Sequence, residues 1–232
     1  MAGLLEVVVL GAGDARRAED GGADRLMLVG GLTGQGTSPE PGLVERVRAV
    51  TTVPIRPLLR LREGYRTDGG EMARLHGLAA SYLAAGAEGM VLGFLDGYSA
   101  VDVEVITELA VGGGWPWTFD HAIDRSLDPD DAWRRLLGLP GLDQVLTAGS
   151  SRGLAVGLED LLARARQDER IAGLIMAGGG LTPEHVAWLS RAGVHSFQIG
   201  PQARPSGDFS AGVATALVRS WRIVLDSEPA RR

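Results

Sequence analysis

Asp120, His121 and Asp124 fall in the stretch Trp117 to Asp124 (WTFDHAID), where an apolar strand pattern runs straight into three ionisable side chains. Such a set suits acid/base chemistry, with Asp120 as general base and His121 as acid or orienter. Side chains alternate across a strand, so Trp117 and Phe119 share one face and Thr118 and Asp120 the other, with His121 and Asp124 just beyond. The plainer reading is a solvated strand end and helix entry, and the rest of the chain has to weigh between the two.

The elements that would position these residues recur along the chain. Apolar runs begin at Leu4, Arg25, Pro54, Gly89, Trp117, Asp143, Gly173 and His195. Helical patterns lie between them, with starts marked by Ser38-Pro39, Asp128-Pro129 and Thr182-Pro183, each a capping residue before a proline at the first helical position. Phe209, Val213, Leu217, Trp221 and Val224 form one apolar stripe that closes the chain. Eight alternations of strand and helix within 232 residues predict an α/β fold, a single-domain TIM (β/α)8 barrel over residues 1–225, with a flexible tail at 226–232. Long loops are expected at Thr33–Pro41 and Arg62–Gly70, on the C-terminal face of the barrel, where sites are built.

Taking the more apolar face of each strand as facing the helices turns Glu6, Arg60, Arg62, Thr118, Asp120, Thr147 and Gln198 toward the barrel axis. Barrel interiors are ordinarily filled by Val, Ile and Leu, and buried charge is costly unless paired. An internal salt-bridge network, Glu6 and Asp120 against Arg60 and Arg62, would account for the pattern, and so would a site. Arg60 and Arg62, two apart on one strand, would lie about 7 Å apart and could clamp one anion. Gly178, Gly179 and Gly180 follow the seventh strand and precede Thr182, a place where barrels bind phosphate through backbone N–H groups; they are equally suited to a tight turn. The site set is therefore Glu6, Asp120, His121 and Asp124 for catalysis, with Arg60, Arg62, Thr147, Gly178, Gly179, Gly180 and Gln198 for binding a small anionic molecule.

Composition narrows the chemistry. All 23 basic residues are Arg, so Schiff-base catalysis is excluded, and with no Cys there is neither a disulfide framework nor a thiolate. A formal charge of −6 with scattered Arg argues against nucleic acid or an anionic membrane as partner. Glu6 interrupts the first apolar run, which makes it neither a leader nor a span, and a cytoplasmic setting follows as the default. His76, His121, His185 and His195 are too dispersed for a local metal motif. Met27, Met90 and Met176, in three different strands, resemble a thioether set for Cu(I) but suit core packing better. Trp115, Trp133, Trp188 and Trp221 fit either a homo-oligomer interface or helix-to-barrel packing.

In order, LEVVV from Leu5, GGADRLMLV, LLRLREG, GAEGMVLGFL with VDVE after it, TFDHAID, VLTAGS, AGGGLTPE and FQIG resemble the successive motifs of the CutC family, over nearly the whole chain up to the last helix. The resemblance implies a cytosolic TIM barrel associated by name with copper homeostasis. Glu6, Arg60, Arg62, Asp102, Asp124 and Gly178 to Gly180 match the family pattern. Both family cysteines read Val here, at Val8 and Val29; the second-strand acid is Met27; the His-Arg pair is Asp120-His121; and the eighth-strand His is Gln198. Copper is thus implied by resemblance only, and since soft copper favours sulfur, no tight Cu(I) site and no metal ligand set is expected. Two functions stay open, copper homeostasis by resemblance and a barrel enzyme or binder acting on a small phosphorylated or carboxylated metabolite.

Overall fold

A computed structural model describes residues 3–32 and 36–228. The alternating pattern becomes β1 (Leu4–Val9), α1 (Ala12–Asp20), β2 (Arg25–Leu28), α2 (Pro41–Arg48), β3 (Ile55–Pro57), α3 (Gly69–Ala84), β4 (Met90–Leu92) and α4 (Val103–Ile106), which runs into a π turn at Thr107–Val111. The second half continues with β5 (Trp117–Phe119), α5 (Pro129–Leu136), β6 (Leu142–Thr147), α6 (Leu154–Gln167), α7 (Glu169–Leu174), β7 (Ile175–Ala177), α8 (Pro183–Arg191), β8 (Ser196–Ile199) and α9 (Thr215–Ser227). Residues 33–35 of the expected loop Thr33–Pro41, and 229–232 of the expected tail, lie outside the described residues; α9 itself continues to Ser227.

The eight strands form one parallel sheet in the order β3-β2-β1-β8-β7-β6-β5-β4. Its two ends meet through a parallel bridge between Leu58 and Val91, with Leu59 N donating to Val91 O at 2.8 Å, so the sheet wraps into a nearly closed barrel. Odd and even positions then separate into two cores. Val7, Val9, Leu26, Leu28, Trp117, Phe119 and Val145 join the layer between strands and helices. Val8, Met27, Val29, Leu58, Val91, Leu146 and Met176 fill the barrel. Met90 belongs to the helix layer, so the three methionines of the strands do not meet. Trp115, Trp133 and Trp221 are buried in that same layer, whereas Trp188 is exposed.

Two helix boundaries differ from expectation. Asp128 does cap α5, accepting from Asp131 N at 2.9 Å. Ser38, however, starts no helix: its Oγ accepts from Arg60 N and its own N–H donates to Arg60 O, both at 2.8 Å, and α2 begins at Pro41. The terminal stripe is also shifted. Phe209 and Val213 precede α9, whose buried face is Val218, Trp221 and Leu225.

Candidate active site

The strand register explains the charged interior. Glu6 on β1 sits opposite Arg25 on β2 and opposite Gln198 on β8. Its carboxylate accordingly accepts from Arg25 Nε at 2.5 Å and from Gln198 Nε2 at 2.8 Å, entirely shielded from solvent. Arg56 donates to Thr118 Oγ1 at 2.7 Å and to Asp143 Oδ1 at 2.6 Å. Arg60 pairs with Asp120, whose Oδ1 also accepts from Ala122 N at 2.9 Å. Buried charges are therefore matched pairwise. Arg25 and Arg56 are absent from the sequence-derived set; Arg56 shares the parity of Arg60, which the sequence turns toward the axis, whereas no residue of the second strand is turned inward to mark Arg25.

Two expected placements are corrected. Arg62 does not join Arg60: β3 ends at Pro57, strand alternation lapses beyond it, and Arg62 is about half exposed, paired with Asp68 at 3.1 Å and Glu71 at 3.4 Å. Thr147 does not face the axis. The β5–β6 register skips Asp143 in a bulge, which shifts the parity of everything after it, so Leu146 points inward and Thr147 outward with Val145. Glu6, for its part, lies beneath the cavity and does not line it.

Above these pairs the C-terminal mouth holds a cavity of about 280 Å³. Val8, Met27, Val29, Leu146 and Phe209 supply an apolar wall, and Arg60, Tyr65, Asp120, His121, Gln198 and Gln202 a polar one. Tyr65 comes from the loop after β3 and stacks under the Arg60 guanidinium, 4.7 Å from its ring centroid. Burial pushes the Tyr65 phenol well above its ordinary range, and the neighbouring Asp120 carboxylate adds to that. Gln202 ties two loops together, accepting from Gly200 N at 3.2 Å and donating to Leu181 O at 3.1 Å.

His121 stands at the edge of this cavity. Its Nδ1 lies 2.7 Å from Asp124 Oδ2, and the same carboxylate accepts from Ala148 N at 2.9 Å and from Thr147 Oγ1 at 2.6 Å. Thr147 thus acts on the site from behind, through Asp124. With every other oxygen contact of Asp124 a donor, Nδ1 carries a proton and Nε2 keeps the lone pair. The ring packs over Gly179, whose φ of +77° suits glycine and where a Cβ would come within 3.1 Å of His121 Cε1. Gly178 faces the interior, a Cβ there meeting Leu146 at 2.7 Å, and Gly180 is exposed at the rim.

Arg204 is a further residue that sequence reasoning missed. Its side chain is fully shielded, pairs with Asp14 at 2.7 Å, donates to Gly200 O at 2.9 Å, and holds Phe209 against the cavity at 4.6 Å. Nothing periodic marks it, because it lies in a loop, and Asp14 reads as an ordinary acid in a first helical turn.

The donor set does not fit copper through thiolate. Val8 and Val29, which stand at the family's cysteine positions, both line the cavity with hydrocarbon, and the Met27 sulfur already accepts from Gln198 Nε2 at 3.2 Å. Among the described residues no group of three or more His, Asp or Glu could hold a metal ion, and no helix is long and apolar enough to cross a membrane.

Comparison with known proteins bears on this arrangement. A CutC protein of Xanthomonas campestris pv. campestris is 36% identical over 203 residues, 86% of this chain and 83% of that one. A CutC protein of Vibrio cholerae is 31% identical over 211 residues, covering 87% and 81%. Among solved structures, a Streptococcus agalactiae CutC named for copper homeostasis superposes with a TM-score of 0.76 at 23% identity, over 86% of this chain and 98% of that one. Phosphoribosyl anthranilate isomerase from Thermococcus kodakaraensis shares the fold alone, with a TM-score of 0.66 at 16% identity over 97% and 99%. The CutC family model matches residues 3–200, and the chain belongs to the CutC family.

Proposed function

We propose that the mouth is the active site of a barrel enzyme that moves a proton on a small phosphorylated or carboxylated metabolite in the cytosol. The observation that carries this reading is the His121–Asp124 contact at 2.7 Å, with Asp124 buried and the imidazole one-third exposed at the cavity wall. Nε2 takes a proton from a carbon or hydroxyl of the ligand, the Asp124 carboxylate balances the imidazolium so formed, and the proton is returned to the ligand at another position. Asp120, held by Arg60, serves as a fixed dipole partner and not as the base, and Gln198 and Gln202 offer amides to polar groups of the ligand. The apolar wall favours a ligand with a hydrocarbon or ring body.

The experiment is a thermal screen of phosphorylated and carboxylated metabolites, followed by turnover measured by NMR on each stabilising compound. A true ligand at a hundred times its dissociation constant adds about 2.7 kcal/mol to stability. His121→Gln should keep the fold and the binding while lowering turnover by about a hundredfold or more. The reading fails if no such metabolite stabilises the protein, or if His121→Gln turns over a ligand as fast as the parent.

A further inference from the structure

His121 is a partition, not an end wall. Behind it lies a second hollow of about 230 Å³ that shares Tyr65, His121 and Gly179 with the mouth cavity and adds Asp124, Arg125, Ser150 and Ser151; the Asp124 oxygens are taken up by His121, Thr147 and Ala148. The arginines of this face differ in how they are used. Arg60 is matched by Asp120 and Arg62 by Asp68 and Glu71. The Arg125 guanidinium, on the turn after His121, makes no ion pair among the described residues. Arg66 joins it along a third hollow under Tyr65, spending one donor on Gly97 O at 3.1 Å. Ser150 Oγ accepts from Arg152 N at 3.2 Å, which leaves its hydroxyl proton to donate.

We infer that this hollow seats the anionic end of the ligand, as a phosphate monoester, while the body of the ligand lies in the apolar mouth and the bond between them passes His121. The inference rests on the mouth being the ligand site and adds to it where the charge goes. The Gly178 to Gly180 loop and Arg60, the places where sequence put the anion, are the less suitable seats. Asp120 already neutralises Arg60 through a direct ion pair, whereas no carboxylate among the described residues pairs with Arg125. A guanidinium fork with two hydroxyls presents donors to more than one phosphate oxygen at once, and Arg125, whose guanidinium is not spent on an ion pair among the described residues, is the part that discriminates a dianion from a neutral group. His121 then acts on an atom one or two bonds from the phosphate.

Three probes test this by calorimetry and ligand-observed NMR on the full chain: phenyl phosphate, which has both parts, benzyl alcohol, which has the body, and inorganic phosphate, which has the charge. Arg125→Ala should weaken phenyl phosphate by about tenfold or more and leave benzyl alcohol unchanged, while Arg191→Ala, an exposed charge on α8, should change neither. Equal affinity of parent and Arg125→Ala for phenyl phosphate overturns the inference and leaves the mouth reading standing. So does phenyl phosphate binding the parent no tighter than benzyl alcohol. If inorganic phosphate binds in an Arg125-dependent way but phenyl phosphate binds no tighter than it, the anion seat stands and the mouth reading fails. Binding of none of the three sinks both.

Discussion

Arg60 and Arg62 carry the same guanidinium two residues apart, yet the side chain of one is 3% exposed and that of the other 48%. The difference decides what each contributes. Removing Arg60 leaves Asp120 buried without its cation, and breaking a buried pair from one side costs about 3–5 kcal/mol. Removing Arg62 opens a surface pair, worth no more than about 1 kcal/mol. Urea denaturation of Arg60→Ala and Arg62→Ala should therefore differ by several kcal/mol, and similar midpoints would show that the Arg60–Asp120 pair contributes little. In the sequence both looked alike because an alternation argument presumes a strand, and β3 stops at Pro57. Thr147 failed for a related reason. Counting alternate residues from Leu142 puts Thr147 inside, and the bulge at Asp143 reverses the count. That bulge also frees the Asp143 carboxylate to meet Arg56, a pairing that no local pattern announces.

At the scale of elements, what is legible is what depends on neighbours in the chain. Asp128 before Pro129 states a helix start in two residues, and the cap forms as read. Ser38 before Pro39 makes the same statement, and it is overruled by the backbone of Arg60, 22 positions away, whose N–H donates to the Ser38 hydroxyl and whose carbonyl accepts from the Ser38 N–H. The joint between α6 and α7 shows a local device working at full strength. Asp168 accepts from Arg170 N at 2.8 Å and from the Arg170 guanidinium, and these hydrogen bonds hold its carboxyl down at about 2, first through the guanidinium and then through the backbone. A depressed carboxyl contributes stability that is present above the ordinary aspartate value of about 3.9 and is lost as pH falls through the folded value. Carbon-detected NMR should find Asp168 still ionised at pH 3, with α7 fraying only below that. Titration near the ordinary value, or its persistence near 2 in Arg170→Ala, would remove the explanation. The same depression should be absent in the unfolded chain, since its first cause is a side chain held by the helical turn.

For the whole molecule, the order of motifs specified a barrel and a family, because eight strand starts at regular spacing leave few ways to bury both faces of each strand. What sequence could not supply is how the barrel's two ends meet. β1 is held by four register pairs on each side, whereas β3 and β4 meet through a single bridge. The Arg60–Asp120 pair spans this thin seam, reaching from the end of β3 to the end of β5 across β4. It can cross because residue 93 is glycine: a Cβ there would fall 1.9 Å from Asp120 Oδ1. The ion pair therefore serves as a strap over the weakest junction of the sheet, in the wall of the mouth that Tyr65 and His121 also line. Hydrogen exchange can read this. In the parent, the Leu59 amide, bonded to Val91 O, and the Asp120 amide, bonded to Leu92 O, should be less protected than the β1 amides. In Arg60→Ala the first two should lose protection by about a further tenfold or more relative to β1, as local opening separates from global unfolding. If all three fall together by the change in overall stability, the pair is a general contributor to the core and the seam is held by the Leu58 and Val91 packing and the backbone hydrogen bonds between β3 and β4.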